Sequence, residues 1–92
     1  MTISEITSAK EKLANLKEQA AKLEREIRQA ELNAEMNRIE SLKMKNYGLI
    51  NGLKEVLGED DKATQHVIKS LQEQNNKLEA EWQVVYKEYF YL

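Results

Sequence analysis

Apolar residues recur along this chain at helical spacing, and the recurrence falls into two stretches. In the first, Ile6, Ala9, Leu13, Leu16, Ala20, Leu23, Ile27, Ala30 and Ala34 follow one another at alternating gaps of three and four, with Asn37 next in the series. In the second, Leu71, Asn75, Leu78, Trp82, Val85, Tyr89 and Leu92 do the same. A mean gap of about 3.5 residues is the signature of helices that pair along a seam. Between the two lies Gly58-Glu59-Asp60-Asp61, just after the apolar run Leu49, Ile50, Leu53, Val56 and Leu57. Glycine commonly stands just past a helix end. Aspartates accept hydrogen bonds from the free N–H groups that open the next helix, and their charge suits its dipole. The pattern therefore predicts two helices, about 3–57 and 62–90, joined by a four-residue turn. Thr2 with Glu5, or Ser8 with Glu11, would form the capping box that starts the first; the second choice leaves a short arm. Asn46-Tyr47-Gly48 and Asn51-Gly52 mark 46–52 as the place where the long helix would kink or break, because each interior Gly costs about 1 kcal/mol relative to Ala.

A short turn lays consecutive helices antiparallel and side by side. With the turn at 58–61, facing positions have numbers that sum to about 119, so Leu92 falls beside Ile27. The second helix then covers residues 27–57 of the first, and residues 1–26 project beyond the hairpin. The expected architecture is all-α: one helical coiled-coil domain, 1–92, with 1–26 as an overhanging self-association segment and 27–92 as a helical hairpin. Ile6, Leu13, Leu16 and Leu23 in the overhang, with Ile27 at its edge, would lie in water unless another helix covers them. A second copy of the chain is the simplest cover.

The charges flanking this seam suggest how two copies would lie. The e positions are Lys10, Lys17, Glu24 and Glu31, and the g positions are Glu5, Lys12, Gln19 and Glu26. A parallel dimer sets Lys12 against Lys17 and Glu26 against Glu31. An antiparallel dimer with core positions summing to about 36 sets Lys10 against Glu24 or Glu31, Lys17 against Glu24 and Lys12 against Glu26. It also mostly matches large residues with small ones: Ile6 with Ala30, Ala9 with Ile27, Leu16 with Ala20, plus Leu13 with Leu23. The sequence thus favours an antiparallel homodimer.

Composition narrows the function classes. Of 92 residues, 47 are Ala, Glu, Lys, Leu or Arg, and there is no Pro or Cys. This is the balance of long helices and coiled coils. It excludes a disulfide scaffold, a cysteine zinc site and a thiol enzyme. The formal net charge of −2 resolves into a neutral 1–31, a +1 segment over 32–57, a −3 turn at 58–61 and a neutral 62–92. Neither an acidic DNA mimic nor a strongly basic nucleic-acid binder has this distribution. No stretch approaches the ~18 consecutive apolar residues of a membrane span, and no basic-then-apolar leader pattern opens the sequence. The expected compartment is the cytoplasm.

Candidate chemistry is sparse. His66 has no second His or Cys with which to hold a transition metal, and no Ser and acid are arranged with it for nucleophilic catalysis. The three acids of the turn lack calcium-loop spacing. Arg38, Lys43, Lys45 and Lys54 form a mild basic stretch, read as a solubilising outer face. No catalytic residue, cofactor or metal is assigned. The aromatic residues concentrate at the C-terminal end: Trp82, Tyr86, Tyr89, Phe90 and Tyr91. They would either pack where a second chain's Ile3 and Ile6 arrive, making a local three-helix core, or offer binding anchors to another protein.

The functional expectation is a non-enzymatic coiled-coil interaction module: an oligomeric adaptor, scaffold, chaperone-like holder or small inhibitor of a larger assembly. Two alternatives stand beside it, a purely structural self-assembling coiled coil and a weakly nucleic-acid-associated oligomer.

Overall fold

A computed structural model describes residues 1–92 and contains two helices, α1 (Ile3–Leu57) and α2 (Lys62–Phe90), with no strands. The molecule measures 84 × 17 × 14 Å. At about 1.5 Å per residue, α1 alone accounts for that length. Thr2 is the N-cap of α1. Its hydroxyl oxygen accepts the Glu5 backbone N–H at 3.2 Å, and the Glu5 carboxylate accepts from the Thr2 backbone N–H in return. The helix starts there and not at Ser8, so residues 3–7 belong to α1 and do not form a separate arm. Gly58 ends α1 with φ 83°, a left-handed conformation that strains any residue carrying a side chain. Asp61 caps α2, its carboxylate accepting the Thr64 backbone N–H and hydroxyl, each at 2.9 Å.

The long helix runs through 46–52 without interruption, contrary to the break its glycines suggested. Gly48 and Gly52 lie inside helical backbone, and a Cβ added to either would meet no atom within 4 Å. These glycines therefore mark neither a break nor a close approach by α2. Packing on α2 both before and after them, through Asn46, Ile50 and Leu53, holds the intervening backbone helical.

The core is a single seam between the helices. On α1 it takes Leu32, Met36, Ile39 and Ile50, with Lys43, Asn46 and Leu53 half-buried along the same face. On α2 it takes Thr64, Ile68 and Asn75, with Leu71, Leu78, Trp82, Val85 and Tyr89 half-buried. The spacing that begins at Leu71 in the sequence thus extends back through Ile68 to Thr64. Leu92, the last residue of that series, lies past the helix end and is exposed.

Asn75 is only 4% exposed. Its amide oxygen accepts from the Asn46 side chain at 2.9 Å, and its amide nitrogen donates to the Lys43 carbonyl at 3.4 Å. Every buried side-chain polar atom has a partner. A shifted register would strand both amides, and an unpaired buried polar group costs about 1–3 kcal/mol. The pair therefore fixes the alignment of the hairpin as well as contributing to its stability.

The glycines give a direct stability test. Gly48→Ala and Gly52→Ala should each raise the unfolding free energy by about 0.4–1 kcal/mol, since both sites are helical and open. Gly58→Ala should lower it by about 1 kcal/mol. Urea unfolding followed by circular dichroism reads both effects. A loss of stability at Gly48 or Gly52 would contradict the open environment of those positions.

Candidate functional site: the uncovered face of the long helix

Three cross-helix contacts set how far α2 reaches. The Arg28 guanidinium donates to Glu88 at 2.6 Å, the Lys43 ammonium pairs with Glu79, and Asn46 meets Asn75. Their residue numbers sum to between 116 and 122, the alignment that the turn dictates. Arg28 is the first residue of α1 tied to α2 by a side-chain bond, and Leu32 is the first that is buried. Every residue from Met1 to Glu31 is exposed.

Ile6, Leu13, Leu16, Leu23 and Ile27 all lie in this stretch and are between 40% and 62% exposed. Each would gain roughly 1.5–3 kcal/mol from complete burial; half-exposed as they are, a large part of that is unrealised. Before Arg28 the side-chain hydrogen bonds are confined to the Thr2–Glu5 cap and to Thr7, which donates to the Ile3 carbonyl. No tertiary contact therefore supports the overhang within the chain.

The stripe and the hairpin seam lie on opposite sides of α1. Residues two apart on a helix point about 200° from one another. Ala30 and Ala34 belong to the stripe and are exposed, while Leu32 and Met36 face α2 and are buried. A helix docked on the stripe would meet α1 on the side away from α2. This overturns the expected three-helix core, because the aromatic end and an arriving Ile3 and Ile6 would be separated by α1 itself.

The aromatic end divides in two. Trp82 and Tyr89 are half-buried in the hairpin seam. Tyr86 and Phe90 continue from Trp82 at four-residue intervals. Trp82 and Tyr86 stack with centroids 5.0 Å apart and planes 8° from parallel; Tyr86 and Phe90 are 6.2 Å apart. Tyr91 caps the helix and meets Phe90 edge-on at 5.3 Å. Phe90 is 67% exposed and Tyr91 82%. The structure therefore groups four of the five aromatics into one ladder, whose outer end lies open to solvent.

Other candidates separate. His66 sits on the exposed side of α2 beside Lys69, Ser70 and Glu73, and no group of three or more metal-ligating side chains converges anywhere. The basic stretch does not form one outer face. Lys43 folds into the seam, its side chain only 16% exposed and paired with Glu79, and Arg38 is paired with Glu35 at 2.6 Å. An apolar groove of about 360 Å³, lined by Gly48, Leu49, Gly52, Leu53, Val56 and Leu57, opens near the turn. The apolar run before Gly58 placed only the end of α1 in the sequence, although the four-residue spacing of Gly48, Gly52 and Val56 beside Leu49, Leu53 and Leu57 already sets them on adjoining rows of one helix. No helix is long and apolar enough to cross a membrane.

Hydrogen bonding shifts the charged groups that hold the hairpin. The Lys43 ammonium, and then the Gln83 amide, hold the Glu79 carboxyl below its ordinary value of 4.5. The backbone N–H of Thr64, and then its hydroxyl, hold Asp61 below 3.8. Lys43 is raised above 10.5, chiefly by Glu79. No protein-family model, curated protein or solved structure matches the chain.

These shifts fix the sign of a pH effect. Both carboxyls bind fewer protons in the folded chain than in the unfolded one. Their stabilisation is present above the ordinary values of 3.8 and 4.5 and is lost as pH falls through the lower folded values. The urea midpoint of the hairpin, followed by Trp82 fluorescence, should therefore fall on acidification below that range. In Asp61→Asn with Glu79→Gln the fall should be smaller. An unchanged or rising midpoint in the parent chain would contradict these assignments.

Proposed function

We propose that the protein is a non-enzymatic coiled-coil interaction module that acts by presenting the stripe of Ile6, Leu13, Leu16, Leu23 and Ile27 to another helix. In this role it serves as an oligomeric adaptor, scaffold or small inhibitor of a larger assembly, with the cytoplasm as its setting. The observation that carries the reading is the half-exposure of all five aliphatics along a stretch of α1 that has no tertiary support of its own. A regular heptad seam is stable when a second helix fills the spaces between its apolar residues. The Trp82–Tyr86–Phe90 ladder supports the same reading as a second presented surface, since clustered Trp and Tyr are typical anchors at protein interfaces.

The test uses the full chain. Leu13→Gln with Leu16→Gln removes the middle of the stripe and touches nothing in the hairpin seam. The expected result is loss of association, read by sedimentation and by capture of binding proteins, with Trp82 fluorescence and its urea transition unchanged. Association that survives the double substitution would place the interface elsewhere.

A further inference from the structure

Resting on that reading of the stripe, we infer that its occupant is a second copy of this chain, antiparallel and aligned so that Leu13 of each copy meets Leu23 of the other. Two observations converge on this arrangement. The first is the opposition of faces. Because α2 lies against the Leu32 and Met36 side, the stripe stays continuous past the end of the overhang, through Ala30 and Ala34. A second α1 can therefore run along it without meeting α2. The layers are then Ile6 on Ala30, Ala9 on Ile27, Leu13 on Leu23 and Leu16 on Ala20, each occurring twice about a two-fold axis. Such an interface is self-complementary and closes at two chains.

The second observation is the charge along the two edges. Lys10, Lys12, Lys17, Glu24 and Glu26 make no ion pair within the chain. In the antiparallel alignment Lys10 faces Glu24 of the second copy, Lys12 faces its Glu26 and Lys17 faces its Glu24. Lys17 also lies near its own copy beside the two-fold axis, and that same Glu24 offsets the repulsion. Glu31, the other candidate partner of Lys10, is already engaged by Arg28 at 3.1 Å, so Glu24 is the partner the structure leaves free. The parallel alternative brings Lys12 to Lys17 and Glu26 to Glu31, and like charges at these positions repel.

The alignment pairs α1 with α1 over the whole overhang and the first turns of each hairpin, with the two α2 helices on opposite outer sides of the paired long helices. The resulting rod has its two acidic turns about 120 Å apart, at 1.5 Å per residue. The two aromatic ladders face away from the shared seam, about 45 Å apart along the rod at Tyr86. The dimer is thereby a spacer with two identical ends. A parallel dimer would keep the 84 Å length of one chain.

Two measurements decide it. Chains carrying Ile6→Cys are mixed with chains carrying Ala30→Cys and oxidised mildly; the native chain has no cysteine to interfere. The expected products are links between the two kinds of chain, with a maximum dimension of about 120 Å in solution scattering. Links only between like chains, or a dimer of about 85 Å, would overturn the inference. In the second measurement, Lys12→Glu should weaken association about tenfold, and adding Glu26→Lys should restore it, because two symmetric attractions become repulsions and then recover. Tighter association of Lys12→Glu is the parallel result and overturns the alignment. A chain that stays monomeric while another protein is lost on Leu13→Gln/Leu16→Gln substitution overturns the second-copy inference but leaves the stripe as the interface. An unchanged partner set under that double substitution defeats the stripe itself.

Discussion

A helix of 29 residues laid back along a helix of 55 cannot cover it. The turn at Gly58–Asp61 fixes where the return begins, and the Asn46–Asn75 pair with the Arg28–Glu88 and Lys43–Glu79 contacts fix its alignment. Almost half of α1 is left without a neighbour. An isolated polar helix gains little from its own backbone, since helical stability in proteins comes mainly from an apolar face packed against something. The uncovered stripe therefore lacks tertiary support while its five large aliphatics remain 40% to 62% exposed.

The long helix carries two apolar faces on opposite sides, one packed on α2 and one uncovered. Toward α2 it presents Leu32, Met36, Ile39 and Ile50 with a polar layer at Lys43 and Asn46. Away from α2 it presents the regular series from Ile6 to Ala34. This separation means that changes in the stripe leave the hairpin intact, and that the hairpin sets the direction in which the stripe points. The polar layer matters to that direction. A purely aliphatic seam of this length could slide by a heptad at modest cost, whereas Asn46 and Asn75 would each lose a partner. Register in the hairpin thus determines how much of α1 remains available.

Much of this was legible in the residues. The helix limits follow from Thr2, Gly58 and Asp61, three residues whose chemistry stops or starts a helix regardless of tertiary context. The α2 seam follows from the regular spacing of Leu71 to Tyr89, and the length of the overhang from the position of the turn. The seam on α1 was hidden. Within 27–57 apolar residues occupy more than one face, since Leu42, Leu49 and Val56 are exposed beside buried Ile39 and Ile50, and the periodicity of a single helix does not say which face its neighbour takes. The same ambiguity made Asn46 look like a weak point of the helix, when it is the partner of Asn75. It also made the aromatic end look like part of a shared core, because the direction of the stripe relative to α2 depends on that unseen seam. Gly48 and Gly52 misled for a different reason: their helix penalty is local, and packing on either side exceeds it.

Amide hydrogen exchange on the full chain tests the central claim, that a partner helix covers the overhang, without altering a residue. Where self-association supplies the cover, amides of residues 6–27 should be protected comparably with those of 32–53, and their protection should fall as the chain is diluted while that of the hairpin does not. Exchange of residues 6–27 at unprotected rates at every concentration, beside a protected hairpin, would show an overhang that no second copy covers.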